Sequence, residues 1–209
     1  MNPTAVPSIR PVLADHIWAP SSERSRTAVR TAVLVTGFAL FTAAMAQIEV
    51  PLGFTPVPLT GQTLAVLVAG ASLGMRAGAA SQGLYWLLGL IGLPFYAGGE
   101  GGWQNGTGAT LGYFVGFVVA AAIVGRLAER QSVRSLGASM SAMALGSIAI
   151  YVCGATWLAH DLGIPVAAGD TNAIELGVTP FLVGDVIKLA LAGALMPAAW
   201  ATVDRLRRG

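Results

Sequence analysis

Asp185 and Lys188 stand three residues apart in an apolar stretch, and Lys188 is the single lysine of the chain. At that spacing the two side chains share one face of a helix. A carboxylate there accepts N–H groups, while the ammonium offers three donors and a positive charge to an anion. Ionisable residues in a lipid-like segment mark a ligand site by default. The competing reading is a structural ion pair that neutralises itself and orients the helix. A second chemical pattern, Gly70-Ala71-Ser72-Leu73-Gly74, fits G-x-S-x-G. It needs a strand-to-helix elbow and a base beside the serine. His16 falls in the N-terminal tail and His160 on the expected opposite side of the membrane, so an intramembrane serine enzyme is a remote alternative.

The elements that must position the pair follow from composition. Of 209 residues, 55% are hydrophobic and 11% charged, and the mean hydropathy is +0.68; soluble domains carry about 25% charged residues. The chain therefore reads as an all-α integral membrane protein of one domain. Six crossings are expected, at about 29–48, 61–75, 78–93, 108–127, 135–158 and 179–203. The second and third are short for a core of roughly 30 Å. Residues 1–28, with four prolines and three arginines, are expected to be a flexible cytoplasmic tail, the membrane domain to span 29–203, and 204–209 to be a basic cytoplasmic end. The first apolar segment starts too late and runs too long for a cleavable signal. The lone Cys153 excludes an intrachain disulfide and reads as a small buried hydrophobe. Thr179 is placed to cap the last helix with Pro180 in its first turn, which sets Asp185 and Lys188 about 9 and 14 Å along the axis, in the outer half of the bilayer.

Charge sets the orientation. With six crossings all eleven arginines, from Arg10, Arg24, Arg26 and Arg30 through Arg76, Arg126, Arg130 and Arg134 to Arg205, Arg207 and Arg208, fall on one side. The other side holds Glu49, Glu100, Asp161, Asp170 and Glu175. Loops rich in arginine stay inside, so both termini are expected to be cytoplasmic. Basic residues at helix ends do not form a nucleic-acid stripe. Trp86, Trp157 and Trp200 read as interfacial rings. Small residues at four-residue spacing, such as Gly70, Gly74 and Gly78, Gly112, Gly116 and Ala120, or Ala142 and Gly146, are faces for close helix approach. Ala39 and Ala43 on the first helix form a stripe open to a partner subunit, and homo-oligomerisation stays open. Two outer loops flank the pair's side of the membrane. Residues 51–62, with Pro51, Pro56 and Pro58, suit a lid, and residues 94–108 combine aromatics with glycines such as Gly98 and Gly99 that permit close backbone approach.

Several runs together resemble the BioY family: Pro56-Val-Pro-Leu-Thr-Gly-Gln-Thr-Leu-Ala65, Leu73-Gly-Met-Arg-Ala-Gly78, Tyr85-Trp-Leu-Leu-Gly-Leu-Ile-Gly-Leu-Pro-Phe-Tyr-Ala-Gly-Gly99, Thr110-Leu-Gly-Tyr-Phe-Val-Gly-Phe117 and Pro180-Phe-Leu-Val-Gly-Asp-Val-Ile-Lys188. Members are the biotin-binding S components of energy-coupling factor (ECF) vitamin transporters. The resemblance covers residues 30 to 200 in the family's order. It implies a six-helix bundle with an outward biotin pocket under the first loop, and contact of Asp185 and Lys188 with the vitamin. Asp185 suits a ureido N–H and Lys188 an acceptor, most simply the carboxylate; which polar end lies deeper is left open. Gln62, Asn105 and Tyr113 are further polar candidates, and Phe95, Tyr96 and Trp103 candidates for an apolar wall. The chain departs from the family's usual G-P-T-G-G-Y, reading Thr107-Gly-Ala-Thr-Leu-Gly-Tyr113.

The chain carries no Walker A motif. The resemblance implies a coupling transmembrane subunit and two ABC-type ATPases as partners in a prokaryotic cell membrane, with Ala39 and Ala43 as the docking stripe. No cofactor or metal is expected. The alternatives are an S component for a different vitamin and a solitary or proton-coupled carrier.

Overall fold

The computed structural model describes residues 11–130, 133–169 and 171–206. Residues 1–10 of the tail with Arg10, the C-terminal 207–209 with Arg207 and Arg208, and Asp170 therefore lie outside the described residues. In chain order the elements are α1 (Leu13–Ile17), α2 (Arg24–Ala46), β1 (Glu49–Val50), β2 (Leu59–Thr60), α3 (Gln62–Leu73), α4 (Met75–Leu90), a 3-10 turn (Ala97–Gly99), α5 (Trp103–Thr107), α6 (Leu111–Glu129), α7 (Leu136–Leu162), α8 (Ala173–Gly177), a second 3-10 turn (Thr179–Phe181) and α9 (Leu182–Leu206).

The six longer helices coincide with the six expected apolar segments. Among the described residues, α2, α6, α7 and the stretch Ala173–Leu206 that ends in α9 are long and apolar enough to cross a membrane. With 12 and 16 residues, α3 and α4 rise only about 18 and 24 Å. They are separated at Gly74, whose φ of 82° ends α3 and reverses the chain at once into α4. The first turn of α4 has no side-chain cap of its own; Glu129 at the end of α6 accepts the Met75 N–H at 2.9 Å. Short α3 is tolerated because it is enclosed by α2, α4, α6 and α9.

Small residues explain why α6 is central, packed on α3, α4 and α7. A Cβ on Gly112 would stand 2.4 Å from the Cys153 carbonyl of α7, and one on Gly70 of α3 would stand 2.6 Å from the Ala121 carbonyl of α6. Close backbone approach substitutes for the hydrophobic drive that lipid removes.

Two differences from the sequence expectations concern the ends. Residues 12–18 do not run free: Val12, Leu13 and Ala14 are buried against a cluster that includes Leu73, Met196 and Trp200. Buried Arg30 holds this segment, donating to Asp15 at 2.8 Å and to the Trp18 carbonyl. The short apolar run Val12-Leu13-Ala14 was masked by the surrounding prolines, and α2 begins at Arg24, five residues earlier than the hydropathy suggests. Thr179 does not cap α9; its hydroxyl donates to the Ile174 carbonyl, and Pro180 opens a 3-10 turn before Leu182.

Trp86 and Trp157 do more than sit at helix ends. Their indole N–H groups donate to the Gly106 and Gly108 carbonyls, at 3.0 and 2.9 Å, and so pin the loop between α4 and α6. Trp200 is buried, with the Arg134 guanidinium 3.9 Å above its ring.

Candidate functional site

One end of the bundle encloses a cavity of about 290 Å³. Its roof is the loop between α2 and α3, whose ends are joined by β1 and β2 in an antiparallel pair, Glu49 opposite Thr60 and Val50 opposite Leu59. The prolines keep residues 51–58 out of regular structure, and Gly61 lets the loop return to α2, where a Cβ would meet Met45 at 2.6 Å. Aromatic rings of α6, Phe114 and Phe117, form a wall with Ile150 of α7 and Phe181 before α9.

The polar side is built around the α9 pair. Asp185 and Lys188 face each other at 2.5 Å, with side-chain exposures of 10% and 15%. Lys188 Nζ also donates to the Thr60 carbonyl at 2.7 Å and to Thr63 Oγ1 at 3.1 Å. Asp185 accepts from Thr63 Oγ1 at 3.2 Å and from the Tyr151 phenol of α7 at 2.6 Å. Thus the lid's base, the start of α3, α7 and α9 meet on one carboxylate and one ammonium. The chain of bonds continues from Thr60 Oγ1 to Gln62, whose amide donates to Tyr85 at 2.5 Å.

Of the residues named from sequence, Asp185, Lys188, Gln62, Asn105, Tyr113, Tyr96 and Gly98 border this cavity. Tyr113 commits its hydroxyl to the Gly177 carbonyl at 2.7 Å, and Asn105 donates to the Gly101 carbonyl at 3.0 Å. Tyr96 stacks on Phe114 with centroids 4.6 Å apart and donates to the Trp86 carbonyl at 2.7 Å. Burial pushes its phenol up to about 12. Phe95, Gly99 and Trp103 do not line the cavity: Phe95 packs on the core beside it, Gly99 is exposed, and Trp103 is 70% exposed. Trp103 opens α5 directly after Gly102, at φ 91°. Ala39 and Ala43 are buried in the seam between α2 and α4, where Thr42 meets Gln82 at 3.2 Å. The stripe read as a docking face is internal packing, because α4 needs the same small side chains to come close.

Sequence reasoning missed Tyr151, Thr63, Phe114, Phe117 and Phe181. A signal existed for Tyr151: a phenol within an apolar helix must find a polar partner when buried. Thr63 adjoins Gln62 in the first turn of α3. The serine of the G-x-S-x-G pattern directs its hydroxyl at Met196 Sδ, 3.9 Å away, a thioether unfit to take its proton.

The model of the BioY family matches residues 20–205. The biotin transporter BioY of Rhizobium etli is 38% identical over 174 residues, covering 79% of this chain and 90% of that protein. A probable biotin transporter BioY of Pyrococcus horikoshii is 40% identical over 159 residues, covering 76% and 89%. The crystal structure at 2.1 Å of the S-component for biotin from an ECF-type ABC transporter superposes with a TM-score of 0.73 at 28% identity, covering 90% of this chain and 96% of that one.

Proposed function

The chain belongs to the BioY family, and from that premise we propose that it is the biotin-binding S component of an ECF transporter in a prokaryotic cell membrane. The observation that carries this reading is a single cavity joining an aromatic wall to a polar floor. Biotin presents a ureido ring with two N–H donors and a carbonyl, an apolar thiophane and valeryl chain, and a carboxylate. Phe114 and Phe117 suit the apolar part; Asp185 and Lys188 suit a hydrogen-bonding end. The volume lies at the lower edge of the roughly 300–1,000 Å³ of small-molecule sites, apt for a bicyclic vitamin and small for a nucleotide.

The same proposal takes all six longer helices as crossings, with both termini cytoplasmic. The one-sided arginines support this, as does the enclosure of short α3 by its neighbours. The chain binds without catalysing. Uptake against a gradient then draws energy from a coupling subunit and two ATPases, since the chain has no phosphate-cradling motif.

Equilibrium binding of labelled biotin to the purified, ligand-stripped chain in detergent tests this reading, with other vitamins as competitors. Biotin-selective binding is expected. Preference for another vitamin would move the chain to a different substrate, and uptake that collapses with the proton gradient at constant ATP would favour a secondary carrier.

A further inference from the structure

We propose that α1 is a releasable latch at the end of the bundle remote from the cavity, and that its docking holds α3 against α9 and so slows escape of the ligand. The inference rests on the biotin reading above and adds to it a control point outside the site.

The segment ties together three helices. Val12, Leu13 and Ala14 are buried in the cluster of Leu73, Met196 and Trp200, so α1 lies across the last turn of α3 and the later turns of α9. From α2, buried Arg30 donates to Asp15 at 2.8 Å and to the Trp18 carbonyl at 2.5 Å. Val12 also rests on the turn between α3 and α4, where a Cβ on Gly74 would stand 3.3 Å from Val12 Cγ1. The His16 ring meets Trp200 edge-on, with centroids 4.9 Å apart. Thus α1 joins α2 to α9 across the end of α3.

The same segment is built to leave. Its helix has five residues, far below the length that is stable alone. Three side chains of small to medium size are buried, and the entropy of ordering the segment opposes a gain of the same order. Residues Ile17, Trp18, Ala19 and Pro20 are exposed, while Ser21 is already fastened to α2, its carbonyl accepting from Thr27 Oγ1 at 2.8 Å. The hinge therefore falls at residues 19–20, and the ion pair to Arg30 decides whether the latch is shut. The Asp15 side chain keeps 27% exposure, which gives water access to that pair.

Helix α3 carries the effect to the ligand. It has 12 residues and is about 18 Å long. One end is clamped by α1; the other supplies Gln62 and Thr63 to the cavity, where Thr63 bonds both Lys188 and Asp185 of α9. Near the clamped end Ser72 meets Met196 of α9. Undocking of α1 frees the far end of α3 to part from α9, which loosens Thr63 and the lid that returns through Gly61. Two sites coupled through one two-state element act on each other equally. If the docked latch tightens ligand binding, the ligand tightens the latch.

Ala14→Cys in a Cys153→Ala background places a thiol on the buried side of α1, where a maleimide reports release. In the ligand-stripped full chain, saturating biotin should slow labelling about five- to tenfold. Asp15→Asn should speed labelling about three- to tenfold, as expected for a partly exposed hydrogen bond between charged groups. Dissociation of labelled biotin should accelerate with it. Leu13→Ala leaves the ion pair in place and should act alike, which keeps the test decisive if Asp15→Asn fails to fold. A merely structural role would lower the unfolding temperature and leave biotin dissociation from the folded chain unchanged. A thiol that stays unlabelled in every variant, labelling that ignores biotin, or variants that label faster yet release biotin at the wild-type rate would overturn the proposal and leave the biotin reading standing. No biotin binding by the wild-type chain would remove both.

Discussion

The Tyr113 ring lies in a slot floored by Gly154: a Cβ built on Gly154 of α7 would stand 2.3 Å from Tyr113 Cε1 of α6. The hydroxyl beyond that ring donates to Gly177, so the slot also fixes α8 and the approach to α9. Gly154→Ala must therefore push the ring toward the cavity. Overpacking of this kind costs about 1–3 kcal/mol. A lowered unfolding temperature in detergent, with weakened ligand binding, is the expected outcome; unchanged values of both would mean that the helices separate freely at this seam.

Ala39→Leu tests the correction to the docking stripe. Ala39 is fully buried, beside Thr42 and Ala43, and three added heavy atoms have nowhere to go without parting α2 from α4. The expected loss is again about 1–3 kcal/mol, visible as poor thermal stability of the isolated chain. Should the variant be as stable as wild type but fail to copurify with a coupling subunit, the stripe would be a docking face after all.

How much of this was legible beforehand depends on the kind of signal. Hydropathy located the six longer helices, since each is a largely apolar run, and among the described residues four of these stretches are long enough to cross a membrane. The Asp185–Lys188 pair stood out because charge in such a run is costly. The partners of that pair did not stand out. Tyr151 and Thr63 are ordinary residues until α7 and α3 are placed against α9, and a one-dimensional pattern does not carry helix rotation. Trp103 misled for the same reason: an aromatic in a glycine-rich loop suggests a wall, yet its ring is exposed while Asn105 of the same short helix borders the cavity. Val12-Leu13-Ala14 was too short an apolar run to register among prolines.

Glu49 and Glu100 border the cavity, so an anionic ligand approaches past negative charge. Neutralising rim charges alters association more than dissociation. Glu100→Gln should raise the association rate of biotin about two- to fivefold at low salt, an advantage that fades as the Debye length falls toward 8 Å at physiological ionic strength. Stopped-flow binding at two salt concentrations checks it. A rate that is insensitive to both the substitution and the salt would place the entry route elsewhere.

The energetics of the α9 pair are best read from a double-mutant cycle. Removing Lys188 alone, as Lys188→Met, leaves Asp185 mostly buried with only the two hydroxyls of Tyr151 and Thr63 as donors. Removing the charge of Asp185 alone, as Asp185→Asn, leaves an ammonium in the same apolar surroundings. Breaking one side of a buried pair costs about 3–5 kcal/mol, whereas replacing both partners is often close to neutral. The double variant should therefore lose several kcal/mol less than the sum of the single losses implies, while ligand binding stays lost in all three. Strict additivity in thermal unfolding would mean that the two charges are held independently by Thr60, Thr63 and Tyr151, and that their 2.5 Å contact contributes nothing to the fold.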